Sequence, residues 1–447
     1  MAISTMNDPG QAAARRSCGP RLVFVLLHRW VGLTIAAFLF VSGLTGAVIS
    51  WDHELDDLLN PHLHAVASQG PAMSSLDLAA AAEARDPRAQ VVGVPLTPEP
   101  GEALAFFVQP KVDPATGQLY ELGFNQIFVD PVTGAELGRR EWGQAWPISR
   151  ETLVSFLYKL HYSLHIPEMW GIENWGVWFM GGIAVLWTLD SFVGFYLTLP
   201  QRRGPNPQRP AAVVRELARG WWQRWKPAWR VKTSGSAYRI TFDLHRAVSL
   251  WTWGLLFVLA FTAFSLNLYR EAFLPLMSTV SQLTPTPFEQ RAIVPKHEPV
   301  TPGVGFAPVL EAARNEGAKR GWAEPVGSIF YNQRYGIYTA RFFQPGDDHG
   351  AAGVGPAALY FDGGDGRLLG ERRPWVGTAA DIFVQAQFPV HSGRILGLPG
   401  RILISVMGLV VAMLSVTGVV IWWRKRAARV SVRRKAAMPA GFPAPAE

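Results

Sequence analysis

The chain has 447 residues, 49% of them hydrophobic, with 42 Lys and Arg against 34 Asp and Glu and a net charge of +8. Its length allows several domains, and its apolar residues are gathered into four long runs. The single cysteine, Cys18, excludes disulfides within the chain, a cysteine-built metal site and cofactor attachment through paired cysteines.

Residues 1–20 read as a disordered cytoplasmic tail and residues 21–50 as a first transmembrane helix. Its apolar run, Val31–Ser50, has about the 20 residues that a span requires. The run is too long for a signal peptide, and no small-residue cleavage site follows, so a retained helix is expected. Residues 51–151 read as an external α+β module. "LDLAAAAEARDP" has the composition and period of a helix, and "ALAFFVQ" and "QIFVD" are β-rich. "DPVTG" is hairpin chemistry, with Asp and Gly supplying side-chain bonds and positive φ. Residues 152–200 combine a short external helix, Thr152–Ile166 closed by Pro167, with a second span over Trp175–Leu199. Residues 201–237 form a basic loop, and 238–269 a third span with its apolar centre at Leu250–Leu268. Residues 270–388 read as a second external module, with "FAPVLEAARNEG" as helix and "SIFYNQ", "GIYTARFF" and "ALYFD" as strands. Residues 389–426 hold a fourth span, Ile402–Trp423, and 427–447 a second disordered cytoplasmic tail.

The basic residues set the orientation. Arg15, Arg16, Arg21 and Arg29 precede the first span, residues 202–232 are rich in Arg and Lys, and Arg424, Lys425, Arg426 and Arg429 follow the fourth. The positive-inside rule places both termini and the middle loop in the cytoplasm and the two long connections outside. Because these charges flank spans, topology accounts for the high isoelectric point and no nucleic-acid partner is expected.

The sequence is also a duplication. "LHRWVG" from Leu27 matches "LHRAVS" from Leu244, and "NQIFVDPVTGAELGRREW" matches "AALYFDGGDGRLLGERRPW". "KLHYSLHIPEMWG" matches "PVHSGRILGLPG", and "GFYLTLPQRR" matches "GVVIWWRKR". Both copies begin and end inside, so they are parallel repeats, with a pseudo-two-fold axis along the membrane normal. The expected fold is an α-helical four-helix transmembrane bundle of two pseudo-symmetric repeats carrying two external α+β domains.

"VDPVTGAELGRR" resembles the hairpin of a PepSY domain. "LHRWVGL…GLTGAVISWDHELDDLLNP", "LHYSL", "DLHRAVSLW" and "VHSGRILGLPGRI…VTGVVIWWRKR", in that order, resemble the PepSY-associated transmembrane family. "LWTLDSFVGFYLTLP" is similar to its subgroup of inner-membrane ferric-siderophore reductases. The resemblance implies a four-helix inner-membrane protein with b-type haem and two periplasmic PepSY-like domains. Two departures stand out: the second hairpin reads "DGGDG", and the third span ends "FSLNLY" where a Thr-Gly pair is usual.

The residues themselves offer the ligands. Four histidines occupy repeat-equivalent positions at span ends: His28 with His245 inside, His161 with His391 outside. Imidazole is an axial ligand of haem iron, and two facing helices can supply both sides. Two haems b held in this way make an electron path across the bilayer. Interfacial anchoring of the histidines is the plainer reading, and zinc is disfavoured because it prefers four ligands. His165 lies four residues after His161, so either can ligate if both are helical, and the repeat favours His161. Arg29, Arg246, Arg394 and Arg401 can bind propionates or serve topology. Asp190 sits inside the second span, where an ionisable group marks a functional site, as a proton relay or a hydrogen-bonding partner. Gly32, Gly43, Gly46, Gly181, Gly182, Gly194, Gly408 and Gly418 allow close approach of a helix or a porphyrin, with plain helix packing the simpler reading. His53, His62 and His64 beside the first span are a weaker iron-site candidate.

Three functions compete. One is a haem-dependent ferric-siderophore reductase, with lipid membrane, ferric siderophore and a quinol, flavin or protein donor as partners. A nicotinamide or flavin site of its own is not expected, because no G-x-G-x-x-G joins a strand to a helix. The second is a PepSY-type binding or regulatory protein without redox activity. The third is a permease, which four spans with one internal charge fit poorly.

Overall fold

The computed structural model describes residues 20–201 and 220–437. The expected N-terminal tail with Cys18, the centre of the basic loop and the end of the C-terminal tail lie outside the described residues. In chain order the elements are α1 (Pro20–Ile49), α2 (Asp52–Leu59), α3 (Ser75–Arg85), β1 (Ala89–Pro95), β2 (Leu104–Pro110), β3 (Gln126–Val129), β4 (Glu136–Arg140), α4 (Leu153–Ser163) and α5 (Trp175–Thr198). The second half follows with α6 (Ala237–Trp251), α7 (Trp253–Asn267), α8 (Phe306–Lys319), β5 (Val326–Asn332), β6 (Ile337–Phe342), β7 (Ala357–Asp362), β8 (Leu368–Arg372), α9 (Ala379–His391) and α10 (Gly397–Ala437).

Helices α1, α5 and α10 are long and apolar enough to cross a membrane. The expected third span over 238–269 is not one straight helix: α6 and α7 reach span length only together, bent by 72° at the break between them. The break is local. Thr252 leaves helical geometry with φ −107° and ψ 6°, and its amide and hydroxyl both bond the Val248 carbonyl, at 3.0 and 2.8 Å, which closes α6. The Trp253 indole then donates to the Ser191 carbonyl at 3.0 Å, which fixes the turn.

The chain divides into two compact units. Among the described residues one comprises 20–36, 186–201, 220–253 and 417–437. In it Trp225, buried to 6%, packs with Leu250, Phe195 and Leu199. Asp243 is fully buried and paired with Arg239 at 2.9 Å and Arg246 at 2.8 Å.

The other unit comprises Ala37–Val185 and Gly254–Val416. Within it α1 and α10 cross backbone to backbone. A Cβ on Gly43 would stand 2.6 Å from the Gly408 carbonyl oxygen, so only glycine fits. Gly408→Leu is expected to force the crossing apart at a cost of roughly 1–3 kcal/mol, read as a lower unfolding temperature in detergent. Gly32→Ala, where an added Cβ meets nothing within 4 Å, is the neutral control.

This unit also carries one antiparallel sheet in the order β4-β3-β2-β1-β5-β6-β7-β8. The two expected modules share this sheet: each half has the expected helix, with four strands where the sequence marks two in the first half and three in the second, and β1 pairs with β5 through Gly93↔Phe330, Val94↔Ile329 and Pro95↔Ser328. Apart, each half would leave a bare strand edge; joined, the two edges satisfy each other. Helix α3 packs Leu78 and Ala82 onto Val91, Phe106 and Ile127. Helix α8 packs Val309 and Ala313 onto Ile329, Tyr338 and Leu359. Both hairpins follow their turn chemistry. Asp130 accepts from the backbone of Val132 at 2.8 Å and Thr133 at 3.2 Å, before Gly134 at φ 70°. Asp362 accepts from Gly364 at 2.7 Å, before Gly366 at φ 75°.

Candidate functional site

The four repeat-equivalent histidines meet as two facing pairs, one in each unit. His28 on α1 faces His245 on α6 with ring centres 6.4 Å apart and planes at 56°. His161 on α4 faces His391 at the end of α9 with ring centres 6.2 Å apart, also at 56°.

Each ring is tied down at Nδ1. His161 Nδ1 donates to the Ser42 carbonyl at 3.0 Å and lies 3.1 Å from Thr45 Oγ1. His391 Nδ1 lies 2.9 Å from Thr262 Oγ1, and His245 Nδ1 3.0 Å from Thr417 Oγ1. His28 Nδ1 is 2.9 Å from Asp190 Oδ2. The Thr45 and Thr262 hydroxyls donate their own protons to Val41 at 2.8 Å and Val258 at 2.7 Å, so towards the rings they are acceptors. In His161 and His391 the proton therefore sits on Nδ1, and Nε2 keeps its lone pair. A histidine that ligates a metal has this arrangement: one nitrogen donates to a fixed acceptor and the other is free to bind.

The spacing can be tested against a ligand. A metal–nitrogen bond of about 2 Å on each side, with roughly 1.1 Å from nitrogen to ring centre, puts the two centres about 6 Å apart. Both pairs match that distance. Among the described residues no cluster of three or more His, Cys, Asp or Glu can hold a metal ion. Two axial nitrogens suffice only where the other ligands come from the group itself, as in a porphyrin. The helices also leave room for the rings. A Cβ on Gly46 would come 2.9 Å from His161 Cε1, and Cβ atoms on Gly194 and Gly418 would each come 3.4 Å from the rings of His28 and His245.

His165 does not join a pair, which corrects the expectation that it shares a helix face with His161. Helix α4 ends at Ser163, and Leu164 and His165 turn left-handed at φ 54° and 51°. His165 instead stacks on Phe156 at 4.6 Å and bonds the Phe156 carbonyl through Nε2 at 2.9 Å. The arginines are mostly engaged by protein. Arg394 pairs with Asp52 at 3.3 Å, Arg401 with Glu54 at 2.7 Å, and Arg246 with Asp243 and the Pro227 carbonyl. Arg29 alone of the four makes no hydrogen bond or ion pair to another described residue. His62 lies 2.8 Å from Glu151 and His64 3.2 Å from Asp56, so each ring has a carboxylate partner.

Sequence reasoning missed the threonines. Thr45 follows His28, and Thr262 follows His245, by the same seventeen residues. The third span therefore keeps the threonine of the Thr-Gly pair, and only its glycine is replaced, by Ala263. That repeat spacing was the available signal.

No curated protein matches the chain. The family model of the PepSY-associated TM region matches residues 25–425, nearly all of the described chain. This is a helical membrane protein with three to four candidate spans and a β-sheet region, and it belongs to the PepSY-associated transmembrane family.

Proposed function

We propose that the chain is a haem-b-dependent reductase of the bacterial inner membrane, with both termini cytoplasmic, that passes electrons outward to a ferric siderophore. The observation that supports this most is the two facing imidazole pairs, each spaced for two axial nitrogens and each with Nδ1 already occupied. Haem, when bound, supplies one-electron exchange between Fe(III) and Fe(II). The chain's own residues supply position and electronics. His28 with His245, and His161 with His391, hold the two groups. Thr45, Thr262, Thr417 and Asp190 keep each ring in one tautomer and one orientation. Arg29 is the arginine available to a propionate at the inner pair.

The siderophore iron is the substrate. One electron converts its Fe3+ to Fe2+, and the lower charge weakens its hold on hard oxygen ligands, so the metal is released. The electron comes from a quinol, a reduced flavin or a protein. The similarity of "LWTLDSFVGFYLTLP" to the reductase subgroup supports this acceptor class.

The test is anaerobic mixing of reduced, purified protein with a ferric siderophore and a chromogenic Fe2+ chelator. Reoxidation of the protein matched by Fe2+ capture is expected. Protein that stays reduced against every ferric chelate offered removes the acceptor assignment. A haem-free chain that binds a peptidase or peptide supports the binding-protein alternative.

A further inference from the structure

Three of the four ligand histidines have a threonine hydroxyl at Nδ1, and one has a carboxylate. The exception is His28. Its repeat partner His245 is held by Thr417, which precedes Gly418; the equivalent of Gly418 is Gly194, and the residue before it is Val193. Valine cannot accept a hydrogen bond. Asp190, one helical turn back on α5, takes that place at 2.9 Å. Asp190 is 8% exposed, inside a span, and its Oδ1 has no partner among the described residues. A buried carboxylate with one oxygen unsatisfied is expensive to keep. A hydroxyl would hold the ring equally well, as Thr417 shows. The carboxylate is therefore present for something that a hydroxyl does not do.

Resting on the two-haem reading above, we propose that Asp190 is a positioning and tuning residue that makes the inner pair the more electron-poor-stabilising of the two sites. Accepting the Nδ1 proton's hydrogen bond into a carboxylate gives the His28 ring more electron density than a hydroxyl can. A more basic axial ligand favours Fe(III) over Fe(II), because second-shell hydrogen bonding is one of the levers on a haem's potential. The outer pair, with Thr45 and Thr262, has no such ligand. The inner site then has the lower reduction potential, and an electron placed there moves outward downhill. One electron leaves an inner Fe(II), which becomes Fe(III), and reduces an outer Fe(III) to Fe(II); no proton or third reactant enters the exchange.

The experiment is an equilibrium redox titration of the full-length haem-loaded protein, followed by its visible spectrum, for wild type, Asp190→Asn and Asp190→Asn with Val193→Thr. His161→Ala, which keeps only the inner pair, assigns the components. The expected result is two components in wild type, the lower one assigned to the inner pair. In both Asp190 variants the Fe(II)/Fe(III) ratio of that component should rise at least tenfold at fixed applied potential, about 59 mV, with the outer component unmoved. An unmoved inner component, or equal movement of both, overturns the proposal. Loss of the inner haem from Asp190→Asn also overturns it, since the carboxylate is then needed for binding and not for tuning. Wild-type protein without haem overturns the reading beneath it, so the two failures are distinguishable.

Discussion

Replacing His161 or His391 by alanine is expected to halve the haem content of the purified protein, and replacing His28 or His245 is expected to remove the other half. The basis is geometric. Each pair has its own rings and its own Nδ1 acceptors, and no residue is shared between the pairs. Removing one imidazole leaves a group with a single axial ligand, and the low-spin spectrum of that site should disappear. Thr45→Val keeps the imidazole but removes an acceptor, and a lost partner of this kind typically weakens binding 10- to 100-fold. His165→Ala should leave both haems in place, because that ring is engaged with Phe156. The count is made by the pyridine-haem method on each variant. If His165→Ala removes a haem and His161→Ala does not, the assignment of the outer pair is wrong.

Arg140→Met is expected to destabilise the external sheet by about 3–5 kcal/mol, because it leaves a largely buried carboxylate without its partner. Arg140, 6% exposed at the end of β4, grips Asp56 on α2 with two bonds at 2.7 and 2.8 Å. It also bonds Gln126 at 2.7 Å and the Glu151 carbonyl at 3.1 Å. The sheet is thereby tied to α2, the short helix that follows α1. Converting the pair to apolar residues, Arg140→Met with Asp56→Leu, should recover much of the loss. Burial alone would raise the Asp56 carboxyl, but hydrogen bonds from His64, Arg140 and Asn60 hold it far below the usual range. A depressed folded value means that the stabilisation is complete above the unfolded value of about 4 and is lost as pH falls below it. Thermal unfolding of the wild type should therefore steepen with acid below about pH 4, and Arg140→Met should flatten that dependence. A variant as stable as wild type, with the same acid response, contradicts this account.

The repeat made the paired histidines legible, because equivalence is a property of the sequence alone. The turns at Asp130 and Asp362 were legible for the same kind of reason, since a few adjacent residues determine them. What lay outside the sequence was long-range or single-residue backbone geometry. The β1–β5 seam joins residues more than two hundred positions apart, and nothing local in either strand marks its partner. The Asp190–His28 bond spans 162 positions. Pro167 marks a helix end in the sequence, but the chain turns left-handed already at Leu164, which takes His165 off the face of His161. The bend at Thr252 escaped notice because an apolar run says nothing about continuity of the helix within it.

The most direct measurement is the oxidised and dithionite-reduced spectrum of the detergent-purified protein, with a pyridine-haem count per chain. The account predicts a sharp low-spin b-type spectrum and two haems per chain. Absence of haem after haem-supplemented expression would contradict it.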